Sequence, residues 1–340
     1  MDEFAKSKAA DRRILFEATA TFLNIPAQLV EKDFWVCWTL KELFQLPKIG
    51  GHLIFKGGTS LSKVFKVVER FSEDIDISID REFLGFGGTN DPEAGTSNKE
   101  RQRRIEALKT ACQQKIAGEL QPALESAIRA KLGRGEEWAI RQDDDDPDQQ
   151  TLLFEYPTVF PQATSRYIRR AVKIEMGARS DHWPSVTKFV TAFVAERFPQ
   201  AFREPSSAVK VLSAERTFWE KATILHAEFH RPPDKAIPER FSRHYYDFSE
   251  LIRKGIADEA GKQLELLERV AEHKGLFFRS SWAKHETAAK GTLHLTPQDF
   301  RIQALRDDYR IMREMFFNEP PTFEKILETI QAWERKFNRK

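Results

Sequence analysis

Residues 54–78 read IFKGGTSLSKVFKVVERFSEDIDIS, and the order of patterns within them decides how the chain is read. Ile75, Ile77 and Ile79 alternate with Asp74 and Asp76, a period of two that predicts a strand with both carboxylates on one face. Upstream, HLIF (52–55) is a short apolar strand that runs into Lys56 and the pair Gly57–Gly58. Between them SLSKVFKVVERF (60–71) has helical spacing. Two carboxylates this close repel when both are ionised, and a divalent cation removes the penalty. Mg²⁺ takes one or two carboxylates together with phosphate oxygens of a substrate. The glycine pair would present unpaired N–H groups and a positive helix end to those phosphates, and its lack of side chains permits close approach. Thr59 and Ser60 add hydroxyl donors. Each piece has a plainer reading, a surface strand or an ordinary turn. Their joint order, strand, glycines, helix, acidic strand, is what argues for phosphate chemistry.

A third carboxylate is available in VKIEM (172–176), where Glu175 alternates with inward Val172, Ile174 and Met176. Its plain alternative is an ion pair with Lys173. Three acids from two strands suit a two-metal centre for phosphoryl or nucleotidyl transfer.

The remaining chain sets the frame. At 340 residues it exceeds one ordinary core, and 41% hydrophobic with 31% charged residues suits a folded protein. No apolar run approaches the roughly 20 residues that cross a bilayer, so no membrane association is expected. The first residues read as an amphipathic helix without a secretory apolar segment. Cys37 and Cys112 sit in helical patterns, which fits a reducing cytoplasm rather than a disulfide framework. A net charge of +2 does not by itself argue for nucleic acid. The local clusters Arg101, Arg103, Arg104 and Arg166, Arg169, Arg170 read first as solvated surface. Residues 11–46 are helical in pattern, 84–98 form a loop, and a charged helix over about 99–132 is interrupted near Pro122. TLLFEY and YIRRAVKIEM are two further strands. From Ser213, an N-cap, the pattern is almost wholly helical. The fold class is α+β: residues 1–210 form an α/β lobe with a helical start and an insertion over 85–150, and 211–340 form a helical lobe.

Other chemistries fit less well. A nuclease of the restriction type places its lysine after the second acid, whereas Lys173 precedes Glu175, and the glycine pair would have no task. His226 and His230 lie four apart on a helix, but Ala227 stands where a zincin has glutamate, so an exposed histidine pair is expected rather than zinc. RQDDDDPDQQ (141–150) reads as a solvated loop. A catalytically silent binding module is the non-enzyme alternative.

With these residues in hand, the chain resembles the AbiEii/AbiGii-type nucleotidyltransferase toxins of the DNA polymerase β-like superfamily. FKGGTSLSKVFKVVERFSEDIDISI looks like the family's glycine motif and SxDxD core, and VKIEMG is similar to its third-carboxylate strand. ERTFWEKATILHAEFHR resembles its lysine-bearing helix, and SRHYYDFSEL the motif that follows. DDYRIMREMFF is similar to its closing pattern, and EKDFWV (31–36) to its opening. The resemblance implies a polymerase β-like lobe with a small mixed sheet, and a Mg²⁺- or Mn²⁺-dependent transfer of NMP from an NTP. It implies Asp74, Asp76, Glu175, Lys221 and Asp247 as catalytic, the three acids of the first lobe also as metal ligands. Lys56, Gly57, Gly58, Thr59, Ser60, Ser72 and Arg243 would bind the nucleotide. Ser72, two before Asp74, would share its strand face; Arg243 and Asp247 would share a helix face. Characterised members act on tRNA 3′ ends in type IV toxin–antitoxin or phage-defence systems, which implies an RNA acceptor and a cognate antitoxin. The expected protein is a cytoplasmic monomer.

Overall fold

The computed structural model describes residues 1–72, 74–133, 137–161 and 170–339. The protein is α+β and divides into two compact units, one of Met1–Val64 with Ser72–Val211 and one of Phe65–Phe71 with Leu212–Lys340.

The first unit is built on a mixed seven-stranded sheet. Its strands are β1 (Leu53–Lys56), β2 (Asp74–Ile79), β3 (Ala139–Gln142), β4 (Thr151–Glu155), β5 (Ala171–Gly177), β6 (Ser185–Thr191) and β7 (Ser206–Leu212), in the order β3-β4-β5-β2-β1-β7-β6. The acidic strand β2 is therefore internal, antiparallel to β1 and parallel to β5. Ile75, Ile77 and Ile79 are fully buried, as their alternation requires. The helix Ala27–Phe44 packs on this sheet through Trp35 and Trp38, which both lie against Phe154 of β4, and Trp35 stacks on Tyr156 at 5.7 Å between ring centroids. Two acids of its EKDFWV segment are buried for a reason. Glu31 accepts hydrogen bonds from Thr158 Oγ1 (2.6 Å) and Val159 N–H (2.7 Å). Asp33 accepts from Phe193 N–H (2.7 Å) and pairs with Lys63 Nζ at 2.6 Å. Lys63 ends the helix Gly57–Lys63, so this pair ties the element after the glycines to the central helix.

That helix is shorter than its sequence suggests. It begins at Gly57 and stops at Lys63, because Lys66 turns to φ +53° and buried Val67 and Val68 prefer the extended chain. Three strands escaped the pattern: β3 and β6 bury few apolar side chains, and β7 alternates only through Val209 and Val211. The charged helix runs from Asn98 to Leu132, and a π turn at Ile116–Leu120 absorbs Pro122. The first arginine cluster is not merely solvated. Arg104 donates to Thr89 O (2.6 Å) and Asp91 O (2.7 Å), and Arg101 to Gly95 O (2.9 Å), which pins the 84–98 loop to the helix. In the second cluster Arg166 and Arg169 lie outside the described residues. Asp146 of the acidic run accepts from Asp148 N–H, Gln150 N–H and Thr151 Oγ1, which makes it a turn anchor.

The second unit is helical. Phe218 of the helix Ala214–Phe229 stacks on Phe248 of Ser242–Arg253 at 4.6 Å, and Trp333 of Phe323–Asn338 meets both rings edge-on. Ser213 caps the first of these helices through Arg216 N–H (3.1 Å). His226, expected on the surface, is fully buried. Its Nδ1 accepts from His294 N–H (3.1 Å), and Nε2 lies 3.1 Å from Lys284 O and 3.0 Å from Thr287 Oγ1. Both ring nitrogens hold loops, and neither is open to zinc.

Burial, with the neighbouring His230, His294 and His285, pushes the His226 pKa down from 6.5 to about 4, against the bond to the Lys284 carbonyl. Between those values the unfolded chain binds a proton that the folded chain excludes, so stability falls as pH drops through that window. One such group is worth about 3 kcal/mol at the acid end. Unfolding free energies measured from pH 7 to 4.5 are expected to decline, and His226→Gln is expected to reduce that slope by about one proton.

Candidate active site

On β2, Asp74 and Asp76 project from one face while the isoleucines fill the other. The parallel register sets Asp76 beside Glu175 and Asp74 beside Lys173 on β5, and the antiparallel register sets Lys56 opposite Asp76. All three acids are partly exposed, so this is an open acidic edge at the centre of the sheet. Lys173 Nζ lies 2.5 Å from Glu175 Oε1. Burial opposes the lysine's charge, but Glu175, with Asp74 and Asp143, outweighs it and raises the Lys173 pKa. The alternative anticipated for Glu175, a pair with Lys173, is thus present within the acidic cluster. At the inner end of the same face Ser78 is buried and its Oγ lies 2.8 Å from His182 Nε2.

Gly57 has a second task besides any phosphate. Its φ is +79°, and a Cβ built there would lie 1.9 Å from Asp76 Oδ2. The space a side chain would take is the space the Asp76 carboxylate occupies. Thr59 and Ser60 depart from expectation: both are fully buried, Thr59 Oγ1 donates to Asp74 O (2.5 Å) and Ser60 Oγ to Gly57 O (2.8 Å). Their protons brace the turn and the start of β2. Ser72 precedes β2 rather than lying in it, because the strand begins at Asp74.

In the second unit, Asp247 is fully buried on the helix Ser242–Arg253 and Lys221 is 6% exposed on Ala214–Phe229. Lys221 Nζ lies 2.8 Å from Asp247 Oδ2. Arg70 holds the same carboxylate with a fork, Nε to Oδ1 at 2.7 Å and Nη2 to Oδ2 at 2.8 Å. Burial works against the Asp247 charge, yet Arg70 and then Lys221 hold its pKa well below the carboxylate range. Burial, with the charges of Arg70 and Arg243, lowers the Lys221 pKa despite the pull of Asp247. Arg243 shares the helix but no ion pair joins it to Asp247 among the described residues; the partner is Arg70. Sequence reading missed Arg70, which looks like a solvated helix end, and nothing in its local pattern marks it as buried. It also missed the role of Asp308, which accepts from Arg240 N–H, Ser242 N–H and Ser242 Oγ and so caps the helix that carries Asp247.

The two aspartates have the hard-oxygen donor chemistry of a Mg²⁺ or Mn²⁺ site, and the missing Gly57 side chain leaves room for one of them. Among the described residues no three His, Cys, Asp or Glu side chains are gathered to hold an ion. Glu175 would join the aspartates only by releasing Lys173.

An internal acidic strand bordered by a glycine turn, within an α+β chain, fits a nucleotidyltransferase. The chain belongs to the nucleotidyl transferase AbiEii toxin family of type IV toxin–antitoxin systems, whose family model matches residues 38–337. That membership implies an antitoxin partner. Among solved structures, the MenT4 nucleotidyltransferase toxin of Mycobacterium tuberculosis H37Rv aligns at 14% identity with a TM-score of 0.44, covering 95% of this chain and 96% of that one. No curated protein sequence matches.

Gly57→Ala is expected to cost about 1–3 kcal/mol, from the left-handed backbone and the displaced Asp76 carboxylate, read by urea unfolding. Asp247→Ala strands two buried cations and is expected to cost about 3–5 kcal/mol in the same measurement. Lys221→Met should cost less, since Arg70 still pairs the carboxylate.

Proposed function

We propose that this toxin-family nucleotidyltransferase moves NMP from an NTP onto the 3′ end of tRNA, with Mg²⁺ or Mn²⁺, as a cytoplasmic monomer. The observation that supports the reading is the register of β2 and β5, which puts Asp76 beside Glu175 while Asp74 shares the face of Asp76 on β2. Polymerase-type transfer needs that donor set, and the family supplies the reaction class.

In this reading the acceptor hydroxyl oxygen forms a bond to the α-phosphorus of the NTP as the bond to the bridging oxygen breaks. Pyrophosphate leaves with that electron pair. Asp74 and Asp76 hold the metal, which when bound neutralises phosphate charge and acidifies the hydroxyl. Glu175, with a side chain 41% exposed, accepts the hydroxyl proton. Lys221 supplies a cation for the triphosphate as negative charge shifts toward the leaving group. Asp247 is an orienting group: a carboxylate held this far below its usual range by two cations is a poor base. Lys56 and the backbone of Gly57 and Gly58 contribute to nucleotide binding.

Purified protein incubated with each α-labelled NTP and total RNA is expected to label RNA of tRNA size, and chelator to abolish the label. Asp76→Asn and Lys221→Met are each expected to reduce labelling by roughly 10²-fold or more and to relieve growth arrest on expression. Folded protein that labels nothing with any NTP would sink the proposal; RNA shortening without label would indicate a nuclease.

A further inference from the structure

Arg70 belongs to none of the groups so far given a role in transfer, yet it is among the most constrained side chains of the second unit. It is 2% exposed and stands in Phe65–Phe71, a short segment that packs with the helical unit. The backbone on both sides of it is tied down. Glu69 N–H donates to Tyr246 Oη (3.3 Å), Glu69 O accepts from Phe317 N–H (3.3 Å), and Phe71 N–H donates to Met315 O (2.6 Å). Arg70 itself bridges Phe316, and its Nη1 reaches Phe71 O at 3.3 Å. Tyr246 is the residue before Asp247. The segment therefore acts as a strap, tied to Met315, Phe316 and Phe317 along its backbone and to Tyr246 beside the Asp247 that its arginine grips.

The consequence lies in charge. A lysine paired with its own carboxylate presents a phosphate with a neutral pair, worth little as an anion site. Here one carboxylate accepts from both Arg70 and Lys221, so Lys221 does not hold it alone. The fork also removes the rotational freedom of Asp247, which leaves Oδ2 in a fixed place for Lys221 Nζ.

We propose that Arg70 is a positioning residue of the transfer reaction: it grips Asp247, and Asp247 in turn orients Lys221. This rests on the reading of Lys221 as the cation for the triphosphate. Lysine at position 70 would keep the charge and lose the fork; alanine would lose both.

The test compares parent, Arg70→Ala, Arg70→Lys and Asp247→Ala in NTP transfer, with circular dichroism and melting to report the folded fraction. Arg70→Ala is expected to lose kcat by roughly 10²-fold, the cost of a misplaced group, with a smaller change in KM for the NTP. Arg70→Lys should fall between it and the parent. Removing the Arg70 charge lets Lys221 hold its proton more tightly, so the alkaline limb of the rate profile should move to higher pH. Millimolar methylguanidinium should restore part of the rate of Arg70→Ala and none of that of Asp247→Ala. A folded Arg70→Ala protein with the parent kcat and alkaline limb overturns the proposal. So does a loss that follows only the folded fraction and ignores methylguanidinium. If the parent itself transfers nothing, the functional reading fails and Arg70 is judged by NMR titration of ¹⁵N-labelled Lys221. An Nζ titration unchanged by Arg70→Ala then overturns the proposal.

Discussion

A fully buried carboxylate must be compensated, and Asp247 is compensated by Arg70 and Lys221. Desolvating three charges together is tolerable only with near-ideal geometry, since removing any partner strands the others. That requirement fixes much of the second unit. The helix Ser242–Arg253 must keep its start, which Asp308 caps; Ala214–Phe229 must keep its pitch, which Ser213 caps; and Phe65–Phe71 must leave its sequence neighbours to deliver Arg70. Three residues separate Arg70 from Asp74, so one short stretch of chain serves both the buried cluster and the acidic strand.

The first unit turns on a smaller constraint of the same kind. Asp76 can face outward from an internal strand because Gly57 has no side chain at the point of approach. Thr59 then fixes the start of β2 from the next turn, and Asp33 fixes the end of the same short helix through Lys63. The glycine motif is thus as much a device for placing carboxylates as for receiving phosphates. Lys173 balances the acidic edge with a cation drawn from the neighbouring strand, which keeps three partly exposed carboxylates from repelling one another unchecked.

Legibility in the sequence followed how local each signal was. The alternation of Asp74, Ile75, Asp76 and Ile77 is a property of consecutive residues, and it marked β2 without ambiguity. Phe323, Ile326, Leu327, Ile330 and Trp333 likewise fall at helical spacing on the buried face of the last helix, within the half read as helical. β7 was missed because a strand whose partner is remote in sequence declares itself only weakly. The run 60–71 was read as one helix because valines at helical spacing look apolar in either state; tertiary burial of Val67 and Val68 decided for the extended form.

By itself the sequence determined the acidic strand, the glycine turn before it, the helical second half and the family, since all of these are patterns of neighbours or of motifs in order. Tertiary structure alone decided which partner each charged group takes. It assigned Asp247 to Arg70 and Lys221 rather than to Arg243, turned the hydroxyls of Thr59 and Ser60 inward, and buried His226 between loops. The physical reason is that an ion pair depends on distance in space and on exclusion of water, and neither quantity is encoded in the spacing of residues along the chain.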